Sequence, residues 1–164
     1  MEYNNRLNRS LKKLESVPNF LKLFLRNKTI GRVVPFIGTA GLEFEKMTCE
    51  EVIVNIPNKK KVQNHIAQVH AAASVLLAET ASGMVLGMNV PDDKLPLMKS
   101  LGAKFIKRST GAQKAIATLT TDQIKLIRET EKGEVNVAVK LMDSKGVEVV
   151  LLEMIWAWIP KNKK

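Results

Sequence analysis

The chain has 164 residues, enough for one domain with a sizeable core, and 45% of them are hydrophobic. A formal charge of +10 favours acidic partners such as anionic lipid, nucleic acid or a phosphate-bearing ligand, while 5% aromatic content excludes an extensive stacking platform for single-stranded nucleic acid. Cys49 is the only cysteine, which excludes an internal disulfide and a cysteine-rich metal site; the polar start from Met1 to Ser10 carries no apolar secretion signal, so a cytoplasmic protein is expected.

Leu7, Leu11 and Leu14 recur at helical spacing between basic residues, which predicts an amphipathic helix over residues 4–17. Pro18 interrupts it, and Asn19 can cap a second short segment through Phe20, Leu21, Leu23, Phe24 and Leu25. These pieces form an N-terminal helical extension, residues 1–30, ahead of a main domain over 31–164. Residues 31–41, with Pro35 and several glycines, read as irregular. Residues 42–47 and 52–56 then alternate as two strands around a polar turn, a hairpin pattern. Pro57, Asn58 and the run Lys59, Lys60, Lys61 end it.

From Ala71 to Gly87 the residues are small or apolar on nearly every side, and a helix of that kind is covered on every side. Between Lys61 and Asp92 the sole Asp, Glu, Lys or Arg is Glu79. A lone carboxylate on such a helix is costly unless it is paired, neutralised or used. The apolar run approaches membrane-spanning length, but Glu79 near its middle, His70 near its start and many Ala, Ser and Gly residues argue against a span. Ala78, Ser82 and Gly83 suit close packing, and Met84 and Met88 suit the core or a pocket wall.

After Pro96 come strands over residues 103–108, 113–120, 134–142 and 147–159. Ser109-Thr110-Gly111 and Asp143-Ser144-Lys145-Gly146 are their turns, and residues 121–132 are a connection with a short helical piece. A strongly curved antiparallel sheet can cover three sides of one helix. The fourth side then needs a second copy of the chain.

The order strand-strand-helix-four strands is similar to the hotdog fold. The run Asn64-x5-His70-Ala71-Ala72-Ala73, followed by Leu77-Ala78-Glu79-Thr80-Ala81, resembles the motif of hotdog acyl-CoA thioesterases of the 4-hydroxybenzoyl-CoA and phenylacetic-acid-pathway type. It is most similar to an uncharacterised, thioesterase-like bacterial branch, with His-Ala-Ala and Ala-Glu in place of His-Gly-Gly and Ala-Asp. The resemblance covers residues 35–159 and implies an α+β protein: a curved antiparallel sheet wrapped around a long central helix. It implies backbone amides at Ala71 and Ala72 that polarise a thioester carbonyl. The family carboxylate falls on Glu79 and the family asparagine on Asn64.

A helix N-terminus supplies unpaired N–H groups and a favourable dipole for an oxyanion, and Glu79 can serve as base or nucleophile. Glu79 lies eight residues beyond Ala71, about 12 Å along a helix, so the two cannot serve one carbonyl within one chain. Two such helices antiparallel across a two-fold axis bring them together, which points to a homodimer or a dimer of dimers. His70 is either a proton carrier or a helix cap, Asn64 either a substrate contact or a loop brace, and Glu79 either catalytic or a brace across the dimer seam. His65 reads as a loop residue. Lys107, Arg108 and Lys114 flank the 109–111 turn and can meet the phosphates of coenzyme A, as can Lys59 to Lys61. No metal and no separate cofactor is expected, coenzyme A entering only as part of the substrate, and no nucleic acid is expected as a partner. Two functions stand ahead of a basic surface-binding protein: a hydrolase of acyl-CoA or acyl-carrier-protein thioesters, and a non-catalytic acyl-CoA or fatty-acyl binding protein.

Overall fold

A computed structural model describes residues 3–13 and 17–161; of residues 19, 20, 22 and 23 it describes the backbone. Three helices come first: α1 (Arg6–Lys12), α2 (Asn19–Val33) and α3 (Pro35–Ala40). Strands β1 (Glu43–Met47) and β2 (Glu51–Ile56) form the expected hairpin, and the long helix α4 (Ala71–Gly87) follows. Then come β3 (Lys94–Phe105), β4 (Gln113–Thr118), α5 (Thr121–Glu129), β5 (Gly133–Asn136), β6 (Ala138–Asp143) and β7 (Glu148–Pro160).

All strands pair antiparallel in one sheet of order β1-β2-β4-β6-β7-β3, with β5 also on β7. The sheet lies against α4, which touches β2, β3, β4, β6 and β7. Each strand alternates faces. Val52, Val54 and Ile56 of β2, Ala115 and Ala117 of β4, and Met154, Trp156 and Trp158 of β7 are buried. On the helix, Leu77, Ala78, Ala81, Val85 and Leu86 are fully buried. Burying one leucine side chain such as Leu77 stabilises the fold by roughly 1.5–3 kcal/mol. The indole of Trp156 passes against Gly83, where an added Cβ would come within 2.8 Å of the ring, and its Nε1 donates to Ser82 Oγ at 3.0 Å. Ser82 and Gly83 thus do serve close packing. This is the hotdog arrangement that the motif implied.

Several expectations need correction. The first helix spans Arg6–Lys12, capped by Asn5, whose side chain accepts from Asn8 N–H; the part of the expected helix around Leu14 lies outside the described residues. The second helix has Pro18 at its N-cap and Asn19 inside it, and it runs on to Val33, across the expected boundary at residue 30. The stretch read as irregular holds the end of α2 and all of α3. Its glycines are contact points: a Cβ on Gly31 would lie 3.0 Å from Gly38 Cα, so the two helices cross where neither has a side chain. Pro35 starts α3 at the first helical position, where its missing N–H costs nothing. Strand β3 begins at Lys94, nine residues earlier than expected, and tolerates Pro96 because it lies at the sheet edge. The strand expected over residues 134–142 bends at Val137 into β5 and β6, although Val137 N–H still donates to Met154 O at 2.9 Å.

The two sheet edges are treated differently. Along β1, α2 satisfies the open backbone groups: Arg26 donates to the carbonyl of Phe44, and Asn27 Oδ1 accepts from Phe44 N–H at 3.0 Å. Along β3 no described strand or helix does the same, and the twelve-residue strand presents an open edge.

Candidate active site

The site grows from the loop between β2 and α4. A 3-10 turn (Lys60–Val62) leads to an antiparallel bridge between Gln63 and Val69, and the intervening residues fold into a tight tip. Asn64 organises it. Its Oδ1 accepts from Ile66 N–H at 3.0 Å and Gln68 N–H at 3.1 Å, and its own N–H donates to Gln68 O at 2.8 Å. These bonds hold Ala67 in the left-handed region, at φ 56°, which a non-glycine residue rarely adopts. Asn64 therefore braces the loop, and among the described residues its Nδ2 makes no hydrogen bond. Val62 O receives His70 N–H at 2.8 Å and so delivers His70 to the start of α4.

His70 is the N-cap, and its Nδ1 accepts from Ala72 N–H at 3.0 Å. His70 thus caps the helix in this structure. The amides at the helix start divide accordingly. Ala72 N–H is engaged by His70, whereas Ala71 N–H and Ala73 N–H make no hydrogen bond within the described chain. Ala71 and Ala72 are exposed. Of these two free donors Ala71 is the one on an exposed residue, at the positive end of a seventeen-residue helix dipole.

A cleft of about 150 Å³ opens beside this N-terminus. Asn64, Gln68 and Ala71 line one side; Phe105, Lys107, Arg108 and Gln113 line the other. Lys107 and Arg108 thus line the cleft. Lys114 does not: it sits on β4, bonded to Glu45 at 2.8 Å. Lys114 and Asn55 together hold the Glu45 carboxyl below its ordinary range. His65 is an exposed loop residue.

Glu79 is half-buried, and burial pushes its carboxyl above the ordinary range, partly offset by the Thr80 hydroxyl. It makes no ion pair among the described residues and does not line the cleft of its own chain. Ala72, Leu76 and Glu79, three or four residues apart, form one stripe of α4 that the sheet leaves partly open, ending at Gly83 where Trp156 of β7 crosses it, while Leu77, Ala78 and Ala81 are sealed beneath it. The helix is thus covered mainly on the sheet side, with α3 and α1 adding contacts.

Sequence reasoning missed Gln113 and Gln68. Gln113 is 3% exposed, its Nε2 donates to Ser109 Oγ at 2.8 Å, and its Oε1 is buried with no partner. Gln68 Oε1 accepts from Gly111 N–H at 2.8 Å and ties the loop to the 109–111 turn. The available signal was parity: residues 113, 115 and 117 share a buried strand face, and a carboxamide on it stands out. Among the described residues, no three or more His, Cys, Asp or Glu side chains lie close enough to hold a metal, and no helix is long and apolar enough to cross a membrane.

Comparison with known proteins adds fold and family. A probable thioesterase of unknown function from Pseudomonas aeruginosa aligns with a TM-score of 0.73 at 22% identity, over 84% of this chain and 95% of that one. A thioesterase from Haemophilus influenzae aligns with a TM-score of 0.66 at 12% identity, over 84% and 92%. A Staphylococcus aureus thioesterase variant gives 0.64 at 20% identity, over 77% and 99%. At these identities the likeness is one of fold, and the fold is the hotdog of thioesterase-family proteins. No curated protein matches the sequence. Residues 24–159 match the profile described as "Domain of unknown function (DUF4442)", and the chain belongs to that family.

Proposed function

We propose that the protein hydrolyses acyl-CoA or acyl-carrier-protein thioesters in a site built by two copies of the chain. The observation that carries this reading is Glu79, a half-buried carboxylate with a raised pKa and no ion-pair partner among the described residues, on a helix stripe its own sheet leaves partly open. The raised pKa suits a general base working near neutral pH. The other copy's α4 then supplies the oxyanion donor from the Ala71 amide, and the Ala72 amide joins when His70 turns its ring away. Asn64 Nδ2 positions the acyl carbonyl or the attacking water. Lys107 and Arg108 at the cleft meet phosphates of the substrate. Lys114 takes that role only by leaving Glu45.

A dimer follows from the same features. One sheet edge is covered by α2 side chains and the other is open, so a second β3 is the natural partner, bringing the two α4 stripes together. A panel of acyl-CoA chain lengths and aryl-CoAs, run with native protein and Glu79→Ala, tests the reading. Hydrolysis by native protein that collapses in the variant supports it. Tight acyl-CoA binding without turnover favours the non-catalytic alternative.

A further inference from the structure

The three most exposed large hydrophobic side chains among the described residues, Val33 at 77%, Phe36 at 64% and Phe24 at 60%, all belong to α2 and α3. The close contact of Gly31 with Gly38 lets the two helices pack through the buried Ile30, Ile37 and Ala40, which leaves Val33, Val34 and Phe36 outward at the corner between them. Basic groups share this surface. Phe24, Lys28 and Arg32 follow at four-residue spacing along α2, which puts them on one stripe. All three are exposed, and Lys28 Nζ lies 5.6 Å from the centre of the Phe24 ring. A further amine, that of Lys61, lies against Gly41 at the end of α3. Residues 16–42 contain no Asp or Glu, and among the described residues neither Lys28 nor Arg32 is in an ion pair.

We propose that the α2–α3 corner docks on the surface of an anionic bilayer. Phe24, Val33, Val34 and Phe36 enter the boundary between headgroups and acyl chains, and Lys28 and Arg32 meet lipid phosphates. Charge complementarity selects this occupant. The cores of protein–protein interfaces are depleted of lysine, whereas apolar side chains flanked by cations are the pattern of helices that lie on bilayers. A symmetric pairing of two such corners would bring like charges together. Nucleic acid would use the cations and leave the apolar side chains in water. The corner also stays clear of the proposed dimer, because α2 packs on β1, at the opposite edge of the sheet from β3. Lys61 belongs to the turn that opens the loop leading to His70, so docking here sets the candidate site beside the lipid.

The test is sedimentation with vesicles of phosphatidylcholine alone, or of phosphatidylcholine and phosphatidylglycerol in equal parts. Native protein partitions onto the anionic vesicles, more weakly as salt rises, and not onto the neutral ones. Phe24→Ser with Phe36→Ser removes apolar contact, and Lys28→Gln with Arg32→Gln removes charge. Each pair lowers partitioning by about tenfold or more. A control pair with the same change of charge, Lys125→Gln on α5 with Lys132→Gln beside β5, lowers it by less than about twofold. All six positions are exposed, so unfolding temperatures stay native, and the charge pair decides the matter should the serine pair unfold early. Equal losses in all three pairs mark diffuse attraction by the net charge of +10 and overturn the proposal. So does native protein that ignores anionic vesicles, whether it then binds a DNA duplex or forms a larger oligomer that the serine pair dissolves. Turnover plays no part in the readout, so failure of the hydrolase reading leaves this one decided.

Discussion

Glu79 carries a consequence for pH as well as for turnover. Its folded pKa lies above its unfolded one because burial disfavours the charge. The folded protein therefore holds this proton across the interval between the ordinary carboxylate value and the raised one. The stability linked to it is complete below that interval and is lost as pH rises through the raised pKa. Glu79→Gln removes the loss, so the variant gains thermal stability over native protein at neutral pH, and the gap closes as pH falls towards the ordinary carboxylate range. The same substitution lowers kcat by about 10²–10⁴-fold if the carboxylate is the base. Ala71→Pro tests the donor with little damage to the fold. Position 71 is the first of the helix, where proline is tolerated, and His70 at φ −64°, ψ 144° already has the conformation that precedes a proline. The substitution deletes the Ala71 N–H alone, and kcat falls by about 10²–10³-fold while urea unfolding shifts little. Both residues were legible in the sequence because the acid stands alone over thirty residues and the helix start follows His70. Gln113 was not, since a single buried amide has no pattern of its own.

The elements show why some boundaries escaped the sequence. Alternation found the hairpins, whose strands bury one face, and a nearly unbroken apolar run found α4. Patterning failed for α2 and α3, where glycines that normally punctuate a chain instead let two helices touch. It failed for the first half of β3, whose edge position admits Pro96 and whose outward Leu95, Leu97 and Leu101 stay exposed. Helix α1 has a role no pattern announced. Asn5, 2% exposed, donates to the carbonyls of Gly87 and Val90, and Asn8 donates to that of Met88, so α1 satisfies orphan carbonyls at the end of α4. Arg9 and the backbone of Arg6 add bonds to Asp92, which hold its carboxyl below the usual range. Asn5→Ala removes a cap and leaves two carbonyls unpaired, and urea titration will show a loss of about 2 kcal/mol. Asp143 does comparable work at the 109–111 turn. Burial pushes its carboxyl up, but the N–H groups of Val147, Lys145 and Thr110 outweigh this and keep it low. Asp143→Ala will cost about 1–3 kcal/mol and loosen the 109–111 turn, read as lower urea midpoint and faster amide exchange at Thr110.

At the scale of the whole molecule, the proposed shared site makes a quantitative claim. Glu79→Gln and Ala71→Pro each disable every site when present alone. Mixed and re-equilibrated, half the dimers are hybrids, and each hybrid holds one site with both native groups. Activity therefore returns to about a quarter of the native value, whereas a site within one chain stays silent in the mixture. Light scattering on the native protein will give at least twice the 18.3 kDa of one chain. The case for a second copy is legible in the sequence, in an acid on an apolar helix; the choice of sheet edge in the proposed dimer rests on the positions of Arg26 and Asn27.

Those two side chains have one more effect. They leave the sheet with a single sticky rim, and a body with one such rim stops growing once two copies have met. Strip Arg26 and Asn27 away and each subunit offers two, so that pairs can concatenate end to end into fibres. On this view α2 is what makes the assembly finite.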